Sequence, residues 1–220
     1  MAQPTPCNTR WQLLYNSSFE DGWNYWATVG YPLRTTALAT QGSYSVLMGG
    51  YNNAGDGISQ LAVLPTWADT AAVYFDWIMY SYEPSYALPY DGLGVSVVDY
   101  QTGVRLASGM IDNTATRGIW YTARLGIPNA SAYRGRTLQV MLTAVTDAIN
   151  PTGWYIDMAR LMAGCGSSPA GEPGEQGIVS LPVEKVEGNK EPPAQPFQEC
   201  RWRDYLPARG LILAGLAEGD

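Results

Sequence analysis

The chain has 220 residues, of which 46% are hydrophobic and 15% charged. This balance is typical of a folded domain with one sizeable core and excludes an intrinsically disordered chain. The formal net charge is −7 and the basic residues are scattered, which argues against a nucleic-acid-binding protein. Histidine is absent, so His-dependent catalytic triads and the usual zinc hydrolases are excluded. No run of about 20 apolar residues occurs, and we predict no transmembrane segment.

The first residues, MAQPTPC, contain neither a charged n-region nor an apolar h-region, so we expect no signal peptide in this chain. A mature chain whose signal had been removed would have the same sequence features. We assign residues 1–12 to an N-terminal arm.

From Trp11 to Leu161 the sequence consists of short β-type runs separated by Gly, Pro, Asn and Asp. Three of these runs are AVYFDWIMY (72–80), LGVSVVDYQTGVRLAS with a turn at 100–103, and TLQVMLTAV (137–145). Helical periodicity is missing, and the spacing predicts an all-β sandwich over residues 13–165.

The loop YSYEPSYALPYDG is the strongest candidate for a ligand-binding segment. Tyr82, Tyr86 and Tyr90 alternate in it with two prolines, and Glu83 and Asp91 lie alongside. Tyrosine rings stack on sugar faces while their hydroxyls reach water, and the acids could accept hydrogen bonds from the same ligand. A loop folded back over the sandwich edge would have the same composition.

One carboxylate interrupts the apolar run TGWYIDMARLMAGC. Asp157 stands where Trp154, Ile156 and Met158 are expected to be buried neighbours. A carboxylate in a strand interior is unfavourable unless it is exposed, paired or bound to a cation.

Two of the three cysteines flank the predicted sandwich. Cys7 precedes its first strand and Cys165 follows its last, and terminal strands of a sandwich commonly lie side by side, so a Cys7–Cys165 disulfide would close the domain. Such a bond implies an extracellular or cell-surface setting. Three unrelated thiols in a cytosolic chain are the alternative, and Cys200 is left over in either case.

Beyond Cys165 the composition changes to a Pro- and Gly-rich tail, residues 166–220, with two apolar segments at 177–186 and 209–217. In the first segment Val179, Leu181 and Val183 would face one way, and Pro182 restricts it to a sheet edge. The tail therefore docks either on its own sandwich or on a neighbouring copy, to which it would donate a strand.

Several motifs, taken together and in order, resemble those of extracellular jelly-roll modules of the carbohydrate-binding-module and MAM-like (galactose-binding-like) type. They are NSSFEDGW, QGSYSVLMGG, LPYDGLGVSVVD, AYRGRTLQVMLTAVTD and TGWYIDMARL. The resemblance covers about residues 13–165 and implies a two-sheet antiparallel jelly-roll sandwich.

The same resemblance implies a structural Ca²⁺. In the calcium-binding members of that group the positions matching Glu20, Asp157 and the backbone near Ser43 hold the ion, and carboxylate and carbonyl oxygens suit it chemically. Met158 replaces a second Asp of the family pattern. Hydrogen bonding of Asp157 to backbone amides or to Arg160 is the alternative.

We expect no enzyme activity. Without histidine the remaining option is a glycosidase-type carboxylate pair, and Glu20, Asp91, Asp112 and Asp157 show no spacing that supports one. The expected function is a secreted or cell-surface binding module that recognises a polysaccharide or glycan. The alternative is a structural subunit that assembles with copies of itself into a fibre or lattice through its tail.

Overall fold

A computed structural model describes residues 10–84, 86–166 and 179–182 of the chain. Within these ranges the structure contains no α-helix, and its one helical element is the 3₁₀ turn Ala130–Tyr133. In this part of the chain no helix has the length and apolarity needed to cross a bilayer.

The strands follow the predicted β-type runs closely. In chain order they are β1 (Arg10–Gln12), β2 (Ala27–Val29), β3 (Leu33–Thr35), β4 (Ser45–Gly49), β5 (Gly55–Val63), β6 (Thr70–Ser81), β7 (Gly92–Asp99), β8 (Arg105–Asp112), β9 (Tyr121–Gly126), β10 (Thr137–Val145), β11 (Thr152–Gly164) and β12 (Val179–Pro182).

The strands form two antiparallel sheets, which confirms the predicted sandwich. The larger sheet has the order β12-β9-β6-β11-β4-β3, with β1 also paired to β11, and the smaller has the order β2-β5-β10-β7-β8. The chain passes repeatedly from one sheet to the other, as in a jelly roll. Since Arg10 pairs with Gly164, Arg10–Gln12 belongs to the sandwich, although we assigned these residues to the arm.

The core lies between the two sheets and contains the largest aromatic side chains. Phe19 and Trp154 are fully buried there, together with Trp77 and Trp26. Alternate residues of β5 and β10 face this core, so the other residues of the two strands form an outer face of the smaller sheet.

A bulge in β11 changes which residues face the core. The pairing with β6 shifts register between Asp157 and Arg160, and Met158 has a φ of 51°. Before the bulge Trp154 and Ile156 face the core, whereas after it Ala159 and the following odd-numbered positions do. The expectation that Met158 is a buried neighbour of Trp154 was therefore wrong: Met158 is only half-buried, because one extra residue inverts the alternation.

The first apolar segment of the tail pairs with the chain's own sandwich. Val179–Pro182 forms β12 antiparallel to β9, with Val179 opposite Arg124, and the strand lies at the edge of the larger sheet, where a proline is tolerated. Val183 and the segment 209–217 lie outside the described residues.

Candidate functional site

The carboxylate of Asp157 is held by hydrogen bonds from the segment that covers the larger sheet. Its side chain is fully buried, and Oδ2 accepts hydrogen bonds from the Thr40 amide at 2.8 Å, the Gln41 amide at 2.9 Å and the Thr40 hydroxyl at 3.0 Å. Oδ1 accepts one from the Met158 amide at 2.7 Å. Burial nevertheless raises the pKa of Asp157 to about 6, which these donors partly offset. Arg160 donates instead to the Met158 carbonyl.

Glu20, the second predicted calcium ligand, binds the same segment two residues further along. Its Oε1 accepts hydrogen bonds from the amides of Ser43 and Tyr44, each at 2.8 Å. One short segment, Thr40–Tyr44, therefore holds both carboxylates through its backbone amides. These hydrogen bonds give both carboxylates partners within the protein. Calcium binding at Glu20, Ser43 and Asp157 stays a prediction.

Gly42 separates the two pairs of amides and is required by this geometry. It has a φ of 69°, and a Cβ added there would lie 2.3 Å from Glu20 Oε1. We expect Gly42→Ala to lower the free energy of unfolding by about 2–3 kcal/mol, from backbone strain and displacement of the Glu20 carboxylate.

Gly22 supplies the matched control for this substitution. It has a similar φ of 63° but nothing lies within 4 Å of an added Cβ, so Gly22→Ala should cost only the strain, about 1 kcal/mol. Urea unfolding of the two variants separates the contributions. Equal losses of unfolding free energy in the two variants would show that the contact of the added Cβ with Glu20 does not affect stability.

The tyrosines of the predicted ligand-binding loop are exposed, as that prediction requires. Tyr82, Tyr86 and Tyr90 have exposed fractions of 50%, 59% and 48%. The guanidinium of Arg117 lies over the Tyr86 ring, 4.1 Å from its centroid. The loop therefore presents aromatic surface at one end of the sandwich.

Asp91, assigned to the same ligand site, lies beneath the loop. Its side chain is 2% exposed, and its Oδ1 accepts a hydrogen bond from the Asp147 amide at 2.8 Å. Direct contact with a surface ligand does not fit this position. Asp91 instead lies with Glu83 and Asp147 in a carboxylate cluster, and burial, followed by the neighbouring charges of Asp147 and Asp91, raises the pKa of Glu83.

A groove of about 470 Å³ crosses the outer face of the smaller sheet. It is flanked by two tyrosines, Tyr15 and Tyr25, whose rings stack with centroids 4.9 Å apart and are 65% and 63% exposed. The other lining residues are Ala27, Ser59, Gln60, Leu61, Tyr100 and Gln139. The arrangement combines an aromatic pair with amide and hydroxyl groups, and we call it the tyrosine groove.

Gln60 binds the main chain of Tyr15. Its Oε1 accepts a hydrogen bond from the Tyr15 amide at 2.6 Å, and its Nε2 donates to the Tyr15 carbonyl at 3.0 Å. Since Gln60 is itself 5% exposed and lies on β5, the backbone of Tyr15 is tied to the sheet. The groove is consequently preorganised on rigid elements.

The sequence predicts ligand binding at the loop of Tyr82, Tyr86 and Tyr90 and not at this groove. Tyr25 stood in the aromatic run GWNYW together with Trp23 and Trp26, but Trp26 is buried in the core and Trp23 packs against it. Tyr15 and Gln139 carry no local signal, because only the pairing of strands brings them together. Asp147 did carry a local signal, because it is an acid just beyond the alternating run of β10.

Cys165 is disulfide-bonded and directly follows β11. Pairing of β1 with the end of β11 places the two ends of the sandwich side by side, as the sequence predicts. Cys7 lies outside the described residues, so its bond to Cys165 stays a prediction.

No protein-family model and no curated protein sequence matches the chain. Among solved structures it is similar to the carbohydrate-binding module TmCBM61, determined in complex with β-1,4-galactotriose, with a TM-score of 0.51, 20% identity, and 68% of this chain and 97% of that chain covered. It is also similar to the Stig cyclase Fisc from Fischerella sp. TAU, with a TM-score of 0.52, 14% identity, and coverage of 72% and 100%. A family 16 carbohydrate-binding module gives a TM-score of 0.47 at 18% identity, with coverage of 68% and 98%.

At these identities the comparisons establish the β-sandwich fold, and one of the similar proteins is an enzyme. A sandwich of this shape therefore supports both binding and catalysis, and function has to be argued from the surfaces of this chain. The likeness to MAM-like modules stays a prediction. The chain adopts a β-sandwich fold similar to that of the carbohydrate-binding module TmCBM61.

Proposed function

We propose that the protein is a non-enzymatic carbohydrate-binding module and that the tyrosine groove is its principal binding surface. The observation that carries this proposal is the pair of exposed, mutually stacked rings of Tyr15 and Tyr25 beside a groove with amide and hydroxyl groups. Exposed aromatic rings held by the fold provide flat apolar surface that matches the C–H faces of pyranose rings, while polar groups bind the hydroxyls.

The dimensions of the groove favour a short stretch of polysaccharide over a small buried ligand. The groove runs across three strands, β2, β5 and β10, on the solvent side of the sheet. Leu61 in its floor is 46% exposed and Tyr100 at its margin is 57% exposed. An open groove of this kind lets a chain extend beyond both ends, whereas a monosaccharide would leave most of it in water.

The Tyr82, Tyr86 and Tyr90 loop is the second candidate surface for the same function. Its rings are also exposed, and Arg117 stacks beneath one of them. The acids of this loop, Glu83 and Asp91, are buried below it. They therefore do not provide polar contacts to a ligand on its surface, as the side chains of the groove can. We therefore rank it after the tyrosine groove.

Retention of the full chain on insoluble polysaccharides tests the function. Incubation with a panel of β-glucans, β-galactans, xylans and mannans, followed by elution with soluble oligosaccharide, should show retention on at least one class. Absence of retention on every polymer, together with no shift in affinity electrophoresis, would remove the proposal.

An extracellular or cell-surface location belongs to the same proposal. It is supported by the disulfide at Cys165, because such bonds persist mainly in oxidising compartments. A Cys7–Cys165 bond would then fasten β1 to the end of β11, where these strands already pair. The loop it closes spans the whole sandwich, for which chain-entropy estimates give about 5 kcal/mol of stabilisation.

A structural Ca²⁺ at Glu20, Asp157 and the backbone near Ser43 is retained as a further proposal. Asp157 Oδ1 accepts one hydrogen bond, and the two described bonds to Glu20 both end on its Oε1. Lone pairs of Asp157 Oδ1 and Glu20 Oε2 are therefore left for a hard cation. The calcium titrations described below include Glu20→Gln and so test this site in the same experiment.

The second candidate function is self-assembly through the tail, by exchange of the β12 strand that pairs with β9 within the chain. The strand adds to a sheet edge through backbone hydrogen bonds over Val179–Pro182. The same register is available to the β12 of another copy, so exchange between chains would keep every bond of the pairing.

Truncation after Gly166 tests this assembly. We expect the full chain to form oligomers whose mass rises with concentration, and the truncated chain to be a monomer that still binds carbohydrate. Light scattering after size exclusion measures both. Leu181→Asp, which leaves the rest of the tail in place, should behave like the truncation. If all three proteins are monomers, β12 stays on its own sandwich and the assembly function is wrong.

A further inference from the structure

The loops at one end of the sandwich enclose three carboxylates that no other feature of the protein explains. Glu83 follows β6, Asp91 precedes β7, and Asp147 follows β10. One carboxylate oxygen of each lies within 4.8 Å of the other two. Acidic residues from segments that are distant in sequence thus meet at a single point.

Two of the three acids are buried with an oxygen that has no hydrogen-bond donor. Glu83 is 4% exposed and Asp91 2% exposed, and Glu83 Oε1 and Asp91 Oδ2 are without a partner. Elsewhere in the described chain every buried carboxylate oxygen has at least one hydrogen-bond partner, and both oxygens of Asp157 accept hydrogen bonds. An unpaired buried carboxylate is costly, so a missing positive partner is indicated.

Arg117 does not supply that partner. Its Nη1 donates to the main-chain carbonyls of Ser81 at 3.0 Å and Glu83 at 2.9 Å, while its Nε and Nη2 have no partner. Its guanidinium lies over the Tyr86 ring. Three carboxylates and one guanidinium leave a formal charge of −2 at this point, which is the charge that one divalent cation neutralises.

The chemistry of the ligands favours calcium among the divalent cations. The three carboxylate oxygens lie within 4.8 Å of one another, close enough to bind one ion together. Ca²⁺ takes six to eight oxygen ligands in a flexible geometry and is commonly held by several carboxylates of the protein. Mg²⁺ demands near-octahedral geometry, keeps several waters and is usually bound by only one or two carboxylates. Asp147 is only half-buried, which leaves a side open for water ligands and for entry.

We propose that Glu83, Asp91 and Asp147 form a Ca²⁺ site that ties together the loops following β6 and β10. This site is separate from the one proposed at Glu20 and Asp157, which lies on the segment Thr40–Tyr44. Glu83 and Asp91 bound the part of the loop that carries Tyr86 and Tyr90, and Tyr82 directly precedes Glu83, so calcium would fix the base of the loop. The inference does not depend on carbohydrate binding at the tyrosine groove.

Calorimetric titration of the metal-free full chain with CaCl₂ tests the proposal. We expect Asp147→Asn and Glu83→Gln each to weaken calcium binding at this site at least tenfold. Each variant should then bind one ion fewer than the original protein over the same range of calcium concentration. Glu20→Gln is the matched control and should leave this ion in place. In EDTA, Asp147→Asn should melt at or above the temperature of the original protein, because it removes like-charge repulsion; in calcium it should melt below it.

Three outcomes would overturn the site. The first is that the original protein binds no calcium at millimolar concentrations. The second is that both variants bind calcium as the original protein does. The third is that Glu20→Gln alone abolishes binding, which would assign calcium to the Glu20 and Asp157 site instead.

Discussion

We expect Asp157→Ala to lower the free energy of unfolding by about 3–5 kcal/mol. The substitution leaves the amides of Thr40, Gln41 and Met158 without their acceptor, and the Thr40 hydroxyl keeps only Asp76, at 2.9 Å. Each buried donor that loses its acceptor costs about 1–3 kcal/mol, with some relief where water can enter. The covering segment Thr40–Tyr44 would then lose half of its attachment to the sheet.

Urea unfolding in EDTA, monitored by tryptophan fluorescence, measures this loss of stability without interference from calcium. Asp112→Ala is the control, because Asp112 is half-exposed and its side chain accepts hydrogen bonds only from Thr114 among the described contacts. It should cost no more than about 1 kcal/mol. Asp157→Asn should fall between the two, since its amide group would meet N–H donors. A loss below 1 kcal/mol for Asp157→Ala would show that the segment finds other acceptors.

The largest expected effect on function comes from the two rings of the tyrosine groove. We expect Tyr15→Ala and Tyr25→Ala each to weaken polysaccharide binding about tenfold, equivalent to about 1.4 kcal/mol, and the double variant about a hundredfold. Because both rings are more than half exposed, the melting temperature should change by no more than about 2–4 °C.

Affinity electrophoresis of matched variants compares the two surfaces. Tyr31→Ala is the control for the groove, since Tyr31 is 70% exposed and does not line it. The triple variant of Tyr82, Tyr86 and Tyr90 should keep most of the binding. The reverse result, in which the triple variant loses retention and the Tyr15 and Tyr25 variants keep it, would move the site to the loop and leave the carbohydrate-binding function standing.

Residue patterns that repeat along a strand were sufficient to predict the fold. The alternation in TLQVMLTAV and the β-branched and aromatic run AVYFDWIMY indicate strands, and the structure has β10 and β6 at these positions. Such patterns are local, because successive side chains of a strand point to opposite faces whatever the rest of the chain does. The burial of Trp77 and Trp154 follows from the same alternation.

Local residue patterns do not predict the bulge in β11. Nothing in TGWYIDMARL marks the point where the core-facing residues change from Trp154 and Ile156 to Ala159 and Leu161. Before the bulge β11 pairs with β4 and β6, and after it with β1 and β6. The bulge thus lies where one neighbouring strand replaces another, which a local residue pattern does not specify.

From local residue patterns we could predict a β-sandwich with a carboxylate in its last long strand and tyrosines in a proline-bounded loop. What surrounds these groups depends on how the strands come together. Asp157 is satisfied by amides more than 110 positions away in sequence, and Tyr15 and Gln139 line one groove although they are far apart in the chain. A hydrogen bond or a groove depends on distances between segments, and these are set by strand order and register, which no local pattern of residues encodes.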